Sequence, residues 1–182
     1  RTASLVHAFA AADVRDGRAV GPGVVCLAQS PAMDVLAVAY ADGVVVLYDV
    51  RQGEVLFSVK VDGRLGARCV TFRTDGEAHT LAVATRTGAM VLFDLDAATD
   101  GGPRLLHSVQ HAHDGPIGAV EFVPGQPLLV TTGADNAMKQ WFFESPTLPP
   151  RVLKSRSGHA QPPTFVQYYG DDGRALLSAS RD

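Results

Sequence analysis

The chain has 182 residues, of which 46% are hydrophobic and 19% charged, and its formal net charge is −3 at pH 7. This composition is typical of a folded globular protein and excludes a disordered one. The small negative charge excludes an acidic tail and gives no support to general binding of nucleic acid.

Short segments rich in Val, Leu, Phe and Thr and bounded by Gly, Asp or Pro recur along the chain, which predicts an all-β protein. No segment shows the apolar spacing of a helix of ordinary length. After strand material at 5–9, the predicted strands lie at residues 24–28, 35–40, 44–49, 55–59, 69–72, 80–84, 90–95, 105–109, 119–123, 128–132, 138–143, 166–169 and 175–179.

The predicted strands fall into units with a period close to the roughly 40–45 residues of a WD repeat. The first strand of each unit ends at Ala28, Phe72, Phe122 and Tyr168. The third strand carries an aromatic ring at Tyr48, Phe93 and Trp141. The tight turn between the second and third strands falls at Asp42, Thr87, Asp135 and Asp182. Three independent markers therefore agree on one repeat.

The third unit carries the fullest set of polar markers. His113 precedes the first strand, Thr131 lies in the second, Asp135 lies at the turn and Trp141 lies in the third. This arrangement resembles the WD-repeat family, in which such a set forms a hydrogen-bonded network within one blade. The resemblance implies that the network is structural.

The fourth unit matches the same pattern in part. It contributes His159, Ser178 and Asp182 to the predicted blade network. The first two units lack the His, and they end in Tyr48 and Phe93, each followed by Asp. We expect these departures to weaken individual networks rather than the fold.

The repeat predicts an incomplete β-propeller of WD repeats, with about three full four-stranded blades and a partial blade at each end. Residues 1–23 are predicted to be the outer strand and loop of a preceding blade, 24–66, 67–112 and 113–157 three blades, and 158–182 the start of a further blade. Because propellers close with about 4–8 blades, we expect missing blades on both sides and exposed edge strands. Residues 10–23, 96–103 and 145–150 are predicted as inserted or connecting loops.

No motif in the sequence predicts an enzyme, a cofactor or a small-molecule substrate. There is no Gly-x-Ser-x-Gly and no Gly-rich phosphate loop leading into a helix. His111 and His113 lie two residues apart, but metal-ligating companions do not cluster nearby, so no metal is expected. The turn at 171–173 resembles a calcium loop only weakly, and a hairpin turn is the favoured interpretation.

Cys26 and Cys69 lie in apolar segments, which favours buried free thiols over a disulfide and therefore an intracellular protein. No apolar stretch approaches the roughly 20 residues that cross a bilayer, so we expect no membrane association. The first ten residues lack the layout of a signal peptide and the chain has no initiator Met, which suggests a fragment of a longer protein.

A small basic cluster, Arg151, Lys154 and Arg156, is predicted in an outer strand and the loop beside it. It could contact RNA phosphate or an acidic partner, and a solvated edge strand is the favoured interpretation. Tyr168 and Tyr169 could stack on a base, although one ring is expected to face the core.

Several strings point beyond the generic repeat, and those at 133–137, 168–170 and 176–180 are more specific than any WD consensus. They include Thr71-Phe-Arg-Thr-Asp-Gly76, Gly133-Ala-Asp-Asn-Ala137, Tyr168-Tyr-Gly170 and Leu176-Leu-Ser-Ala-Ser180. In their order along the chain they resemble the U-three small nucleolar RNA-associated protein twenty-one family, whose animal members are called WD-repeat protein thirty-six. Residues 10–23 and 96–103 depart from that family.

The resemblance implies a non-catalytic scaffold of the nucleolar small-subunit processome, which supports pre-18S ribosomal RNA processing and small ribosomal subunit assembly. It implies other processome proteins as partners, with the U-three ribonucleoprotein and pre-ribosomal RNA contacted indirectly. The alternative is a generic WD-repeat adaptor in another complex, such as a ubiquitin ligase or a trafficking coat, because the same fold serves all of these.

Overall fold

The computed structural model describes residues 14–15, 18–19, 23–61, 66–76, 79–99, 102–145, 148–170 and 172–182. Every helix or strand in this part of the chain is a β-strand, which confirms the predicted all-β class. The strands are β1 (Val14–Arg15), β2 (Arg18–Ala19), β3 (Val24–Gln29), β4 (Val35–Tyr40), β5 (Val44–Asp49), β6 (Val55–Lys60), β7 (Ala67–Phe72), β8 (Thr80–Thr85), β9 (Met90–Thr99), β10 (Gly102–Val109), β11 (Ile117–Phe122), β12 (Leu128–Gly133), β13 (Ala137–Phe142), β14 (Arg151–Ser157), β15 (Phe165–Tyr169) and β16 (Ala175–Ala179).

Strands β3 to β14 form three four-stranded antiparallel sheets in which consecutive strands pair. We call β3–β6 blade 1, β7–β10 blade 2, β11–β14 blade 3, and the pair β15–β16 the half-blade. The inner strands β3, β7, β11 and β15 lie next to one another in that order. The sheets do not close into a ring, as predicted for an incomplete propeller.

The three sheets lie within the predicted ranges 24–66, 67–112 and 113–157, and the blade boundaries themselves stay a prediction. The predicted strand at 5–9 lies outside the described residues. In the predicted insertion at 10–23, the described residues include the short β1–β2 hairpin.

Strand β8 shows why the blades depend on one another, because all six of its residues are buried. One face carries Leu81 and Val83, which pack in a cluster with Ala37 and Ala39 of β4. Side chains alternate between the two faces of a strand, so the intervening residues point to the opposite side. Between the second strands, large residues of blade 2 therefore lie on the side of small residues of blade 1, and Val45 and Leu47 of β5 complete the cluster.

The opposite face of β8 reverses this pairing of sizes. Ala82 and Ala84 pack in a second cluster with Ile117, Leu129 and Trp141 of blade 3. The small residues of β8 thus lie on the side of large residues of blade 3, with Met90 and Leu92 of β9 in the same cluster, which lets the sheets approach closely. Blade 2 is thus the middle layer of two shared cores.

The outward faces of the first and last sheets are more exposed. On β3, Val24 is 54% and Leu27 59% exposed, and on the half-blade Phe165 is 47% and Leu177 54% exposed. Inner strands of the same type are buried where a neighbouring blade covers them, as Val70 of β7 shows. Among the described residues the outward faces at both ends of this row of sheets are thus exposed, and the expected exposed edge strands stay a prediction.

The expected surface loop at 96–103 is wrong. Strand β9 continues to Thr99 and β10 starts at Gly102, where these two residues pair. The small and polar residues of this segment indicated a loop, but backbone pairing does not depend on apolar side chains. The pair of Thr99 with Gly102 lies beyond a register shift that separates it from the pair of Asp94 with Arg104. A salt bridge of 2.9 Å from Arg104 to Asp94 joins the two strands closer to the core.

No helix in the described part of the chain is long and apolar enough to cross a membrane.

Tight turns between the second and third strands of each blade place a residue in the left-handed region. Gly43 and Gly88 have φ of 89° and 86°, a conformation that L side chains rarely adopt. Gly88 also lies against the next blade, where His113 N donates to its carbonyl oxygen at 3.0 Å. A Cβ at Gly88 would overlap the carbonyl oxygens of His113 and Gly115.

We therefore predict that Gly88→Ala destabilises the junction of blades 2 and 3 by at least about 3 kcal/mol, since it combines backbone strain with overpacking. Gly76 is the matched control, because its φ is also positive, at 76°, but nothing lies within 4 Å of an added Cβ. Gly76→Ala should cost about 1 kcal/mol. Hydrogen exchange over residues 107–116 measures the effect, and equal protection in the two variants would contradict it.

Candidate functional site

The four polar residues predicted for the third unit meet inside blade 3. His113 lies before β11, Thr131 in β12, Asp135 at the following turn and Trp141 in β13. His113 Nδ1 lies 2.8 Å from Asp135 Oδ1, and His113 Nε2 lies 2.7 Å from Thr131 Oγ1. Trp141 Nε1 donates to the same Thr131 oxygen at 2.8 Å. We call these four residues the blade 3 network.

The donors and acceptors of the network fix where its protons lie. The Asp135 carboxylate only accepts, so His113 Nδ1 carries the proton. The Trp141 N–H occupies the acceptor side of Thr131 Oγ1, so the Thr131 hydroxyl donates to His113 Nε2. This arrangement satisfies every group with a neutral His113.

The electrostatics agree with a neutral imidazole beside an ionised carboxylate. Burial lowers the pKa of His113 below its ordinary value, against the opposing pull of the Asp135 charge. Partial burial would raise the pKa of Asp135, but the hydrogen bonds from His113 and from the amides of Ala137 and Asp114 together hold it below its ordinary value.

The network also constrains its surroundings. A Cβ at Gly133 would overlap the His113 ring and the Asp135 carboxylate, so a side chain there would displace both. Lys139 Nζ donates to the Ala112 carbonyl at 2.7 Å and lies 3.7 Å from Asp135 Oδ2. Lys139 was not predicted from the sequence. Its position four residues after Asp135, across a tight turn, could have indicated a contact between the two side chains.

The predicted residues of the fourth unit meet in the same way. His159 Nδ1 lies 3.2 Å from Asp182 Oδ1, and His159 Nε2 lies 2.9 Å from Ser178 Oγ. Ala160 N donates to Asp182 Oδ2 at 2.7 Å. The His159 side chain is 27% exposed whereas that of His113 is fully buried, so the second set is much more hydrated.

Blades 1 and 2 replace two members of the polar set, at the Thr131 and Trp141 positions, and the hydroxyl that Tyr48 brings lies 3.4 Å from that of Tyr40. By strand register, Val38 and Val83 stand where blade 3 has Thr131. Tyr48 and Phe93 stand where it has Trp141, each opposite a leucine of the second strand. Replacing the Trp141 indole and the Thr131 hydroxyl together leaves neither group without its partner. Replacing one of them alone would leave the other buried and unpaired.

Every buried side-chain nitrogen and oxygen among the described residues has a hydrogen-bond partner. Within that part of the chain, no three His, Cys, Asp or Glu residues lie close enough together to hold a metal ion. Both ring nitrogens of His113 are already used by Asp135 and Thr131. The polar chemistry of this site is thus internal hydrogen bonding.

The two cysteines are free and half-buried, rather than buried as expected. Cys26 on β3 and Cys69 on β7 face each other between adjacent inner strands, and Val70 N donates to Cys26 Sγ at 3.4 Å. The Cys69 thiol beside it lowers the pKa of Cys26 to about 6, although in the structure Cys69 Sγ donates to the Gly118 carbonyl oxygen at 3.3 Å. The same interaction, together with burial, raises the pKa of Cys69.

The basic cluster lies on the exposed outer strand β14. The Arg151 guanidinium lies 5.1 Å from the centre of the Phe142 ring, which anchors it to the strand beneath. Of the two tyrosines, Tyr168 is half-buried and Tyr169 is 69% exposed.

We predict that Thr131→Val lowers the free energy of unfolding by about 3 kcal/mol, because the Trp141 N–H and His113 Nε2 both lose a buried partner. Thr131→Ser keeps the hydroxyl and removes only a methyl group, so it should cost about 1 kcal/mol. Thermal unfolding of the purified protein compares the two. A valine variant as stable as the serine variant would show that the network does not stabilise blade 3.

We also predict that Cys26 is alkylated far faster than Cys69 at neutral pH, with a rate that rises through a midpoint at about pH 6 as its thiolate forms. Cys69→Ala removes the hydrogen-bond donor and should move this midpoint upward, whereas Cys69→Ser keeps a donor. Peptide mass spectrometry after iodoacetamide treatment measures the rates. An unchanged midpoint in Cys69→Ala would contradict the assignment.

Comparison with known proteins places this geometry in a family. Residues 1–144 match the family described as the WDR36/Utp21 first beta-propeller. The chain is 39% identical over 162 residues to the U3 small nucleolar RNA-associated protein 21 homolog of Schizosaccharomyces pombe, covering 89% of this chain and 17% of that protein. It is 37% identical over 161 residues to human WD repeat-containing protein 36, covering 88% of this chain and 17% of that protein.

Among solved structures, a chain in the crystal structure of the mitotic checkpoint complex superposes with a TM-score of 0.72 at 18% identity, covering 86% of this chain and 44% of that one. At that identity the likeness shows the propeller fold alone. The family match, the identity to both curated relatives and the row of four-stranded sheets agree. The chain belongs to the family of the first β-propeller of WDR36/Utp21.

Proposed function

We propose that this chain is part of a non-catalytic scaffold of the small-subunit processome, which supports pre-18S ribosomal RNA processing and small ribosomal subunit assembly through protein–protein contacts. The observation that carries the proposal is its 39% identity to a protein named for its association with U3 small nucleolar RNA. The chain spans 17% of the length of that relative, so the activity of the whole protein is part of the proposal.

The geometry of blade 3 supports a role in assembly rather than in catalysis. A catalytic group needs a donor, acceptor or nucleophile that can reach a substrate. The network residues instead point at each other, since His113 lies between Asp135 and Thr131 and its side chain is fully buried. We infer that His113, Thr131, Asp135 and Trp141, and likewise His159, Ser178 and Asp182, stabilise blades.

We propose the nucleolus as the place of action, with other processome proteins as direct partners. The described surface offers little for general RNA binding, because the net charge of the chain is −3. The basic residues Arg151, Lys154 and Arg156 are confined to one exposed outer strand. Contact with U3 and pre-ribosomal RNA is therefore proposed to be indirect.

We predict that the full-length tagged protein, purified from cells, recovers U3 RNA well above a spliceosomal small RNA used as the control. After RNase treatment the protein partners should stay bound, because the contacts that hold them are protein–protein. Recovery of neither U3 nor processome proteins would refute the assignment and leave the propeller intact. Recovery of ubiquitin-ligase or coat subunits instead would favour the generic adaptor.

A further inference from the structure

A pocket of about 350 Å³ opens between blades 1 and 2, at the end of the sheets where the inner strands β3 and β7 terminate. Its apolar wall includes Leu47, Phe57 and Leu95, and its polar residues include Asp34 and Asp96. Both blades that form it are complete four-stranded sheets.

The equivalent space between blades 2 and 3 is filled by the chain itself. Arg73 follows β7 directly, and its guanidinium lies 5.5 Å from the centre of the Phe143 ring on blade 3. Two hydrogen bonds of 2.7 Å join it to Asp75. The side chains of Arg73 and Asp75 are 4% and 3% exposed, so a paired arginine is the buried filler of this junction.

Backbone hydrogen bonds identify the matching positions. Ser30 N donates to Val35 O at 2.8 Å just as Arg73 N donates to Thr80 O at 2.9 Å, so Ser30 stands where blade 2 has Arg73.

In the same way, Leu95 N donates to His79 O at 2.8 Å and Phe143 N to Pro127 O at 2.9 Å, so Leu95 matches Phe143. A short serine and a leucine replace an arginine and a phenylalanine, and the pocket is the volume that this exchange leaves open.

The charges of the pocket favour a cation. The Ser30 hydroxyl donates to Asp34 Oδ1 at 2.7 Å and holds the pKa of that carboxyl below its ordinary value. Asp96 is paired with His79, and Arg73 in the pocket wall is neutralised by Asp75. Among the described residues no salt bridge includes Asp34, and the nearby charge of Arg51 adds to the lowering of its pKa without a direct ion pair.

We propose that this pocket receives an arginine side chain from an extended segment of a partner protein, with its stem against Phe57 and Leu95 and its guanidinium at Asp34. Arginine fits better than lysine because a planar guanidinium stacks on aromatic rings and pairs with a carboxylate through two donors. The junction of blades 2 and 3 shows the same chemistry within the chain, where Arg73 lies against the Phe143 ring and pairs with Asp75. The inference rests on the proposed scaffold role, for which it names a docking surface.

Saturation-transfer NMR on the full-length protein tests the proposal with N-acetyl-arginine methylamide as the probe. The citrulline analogue keeps the shape of arginine without its charge, and the lysine analogue keeps the charge without the planar guanidinium. Both should bind more weakly than the arginine probe. Ser30→Arg combined with Ala32→Asp places an arginine at the position of Arg73 and an aspartate two residues later, as in blade 2, and should fill the pocket. Asp34→Asn removes the carboxylate, and Asp172→Asn, an exposed carboxylate on the half-blade, is the matched control.

The arginine probe should bind the parent protein and Asp172→Asn, bind Asp34→Asn about tenfold more weakly, and lose binding in the filled variant. Citrulline binding equal to arginine binding, or full arginine binding to the filled variant, would overturn the proposal. If the filled variant unfolds earlier than the parent protein, the Asp34→Asn variant decides by itself. Undiminished binding of the arginine probe to that variant overturns the proposal. Recovery of U3 RNA does not depend on this probe, so the two proposals fail separately.

Discussion

The fold depends on the packing of each sheet against the sheets beside it, and β8 shows this constraint at full strength. A single four-stranded sheet has two apolar faces and cannot cover both, so it is stable only as a layer between neighbours. Leu81 and Val83 face the alanines of blade 1, whereas Ala82 and Ala84 face the large residues of blade 3. Complementary sizes on the second strands, β4, β8 and β12, let these parts of the sheets pack closely.

Polar groups enter this packing only as complete sets. Blade 3 keeps a four-residue network whose donors and acceptors match one for one, and blades 1 and 2 replace the Thr and Trp positions by Val and Tyr or Phe. The Arg73–Asp75 pair follows the same rule at the junction of blades 2 and 3. The proposed scaffold role assigns the outer surfaces and the pocket between blades 1 and 2 to partners.

The sequence was sufficient for the class, the period and most strands, because alternating apolar residues and turn residues are local signals. The set His113, Thr131, Asp135 and Trp141 could be chosen from spacing within a known repeat. The 96–103 hairpin was missed because its strands extend past the core and carry no apolar pattern. The Arg73 contact with Phe143 and the Cys26–Cys69 pair join different blades, and such contacts leave no trace in local sequence.

Neighbouring blades share their cores, and native-state hydrogen exchange of the full-length protein at increasing denaturant shows whether they also unfold together. If the cores are shared, the amides of β4, β8 and β12 lose protection together, at one denaturant concentration. If β8 stays protected after β4 and β12 have exchanged, blade 2 is stable by itself, which contradicts shared cores.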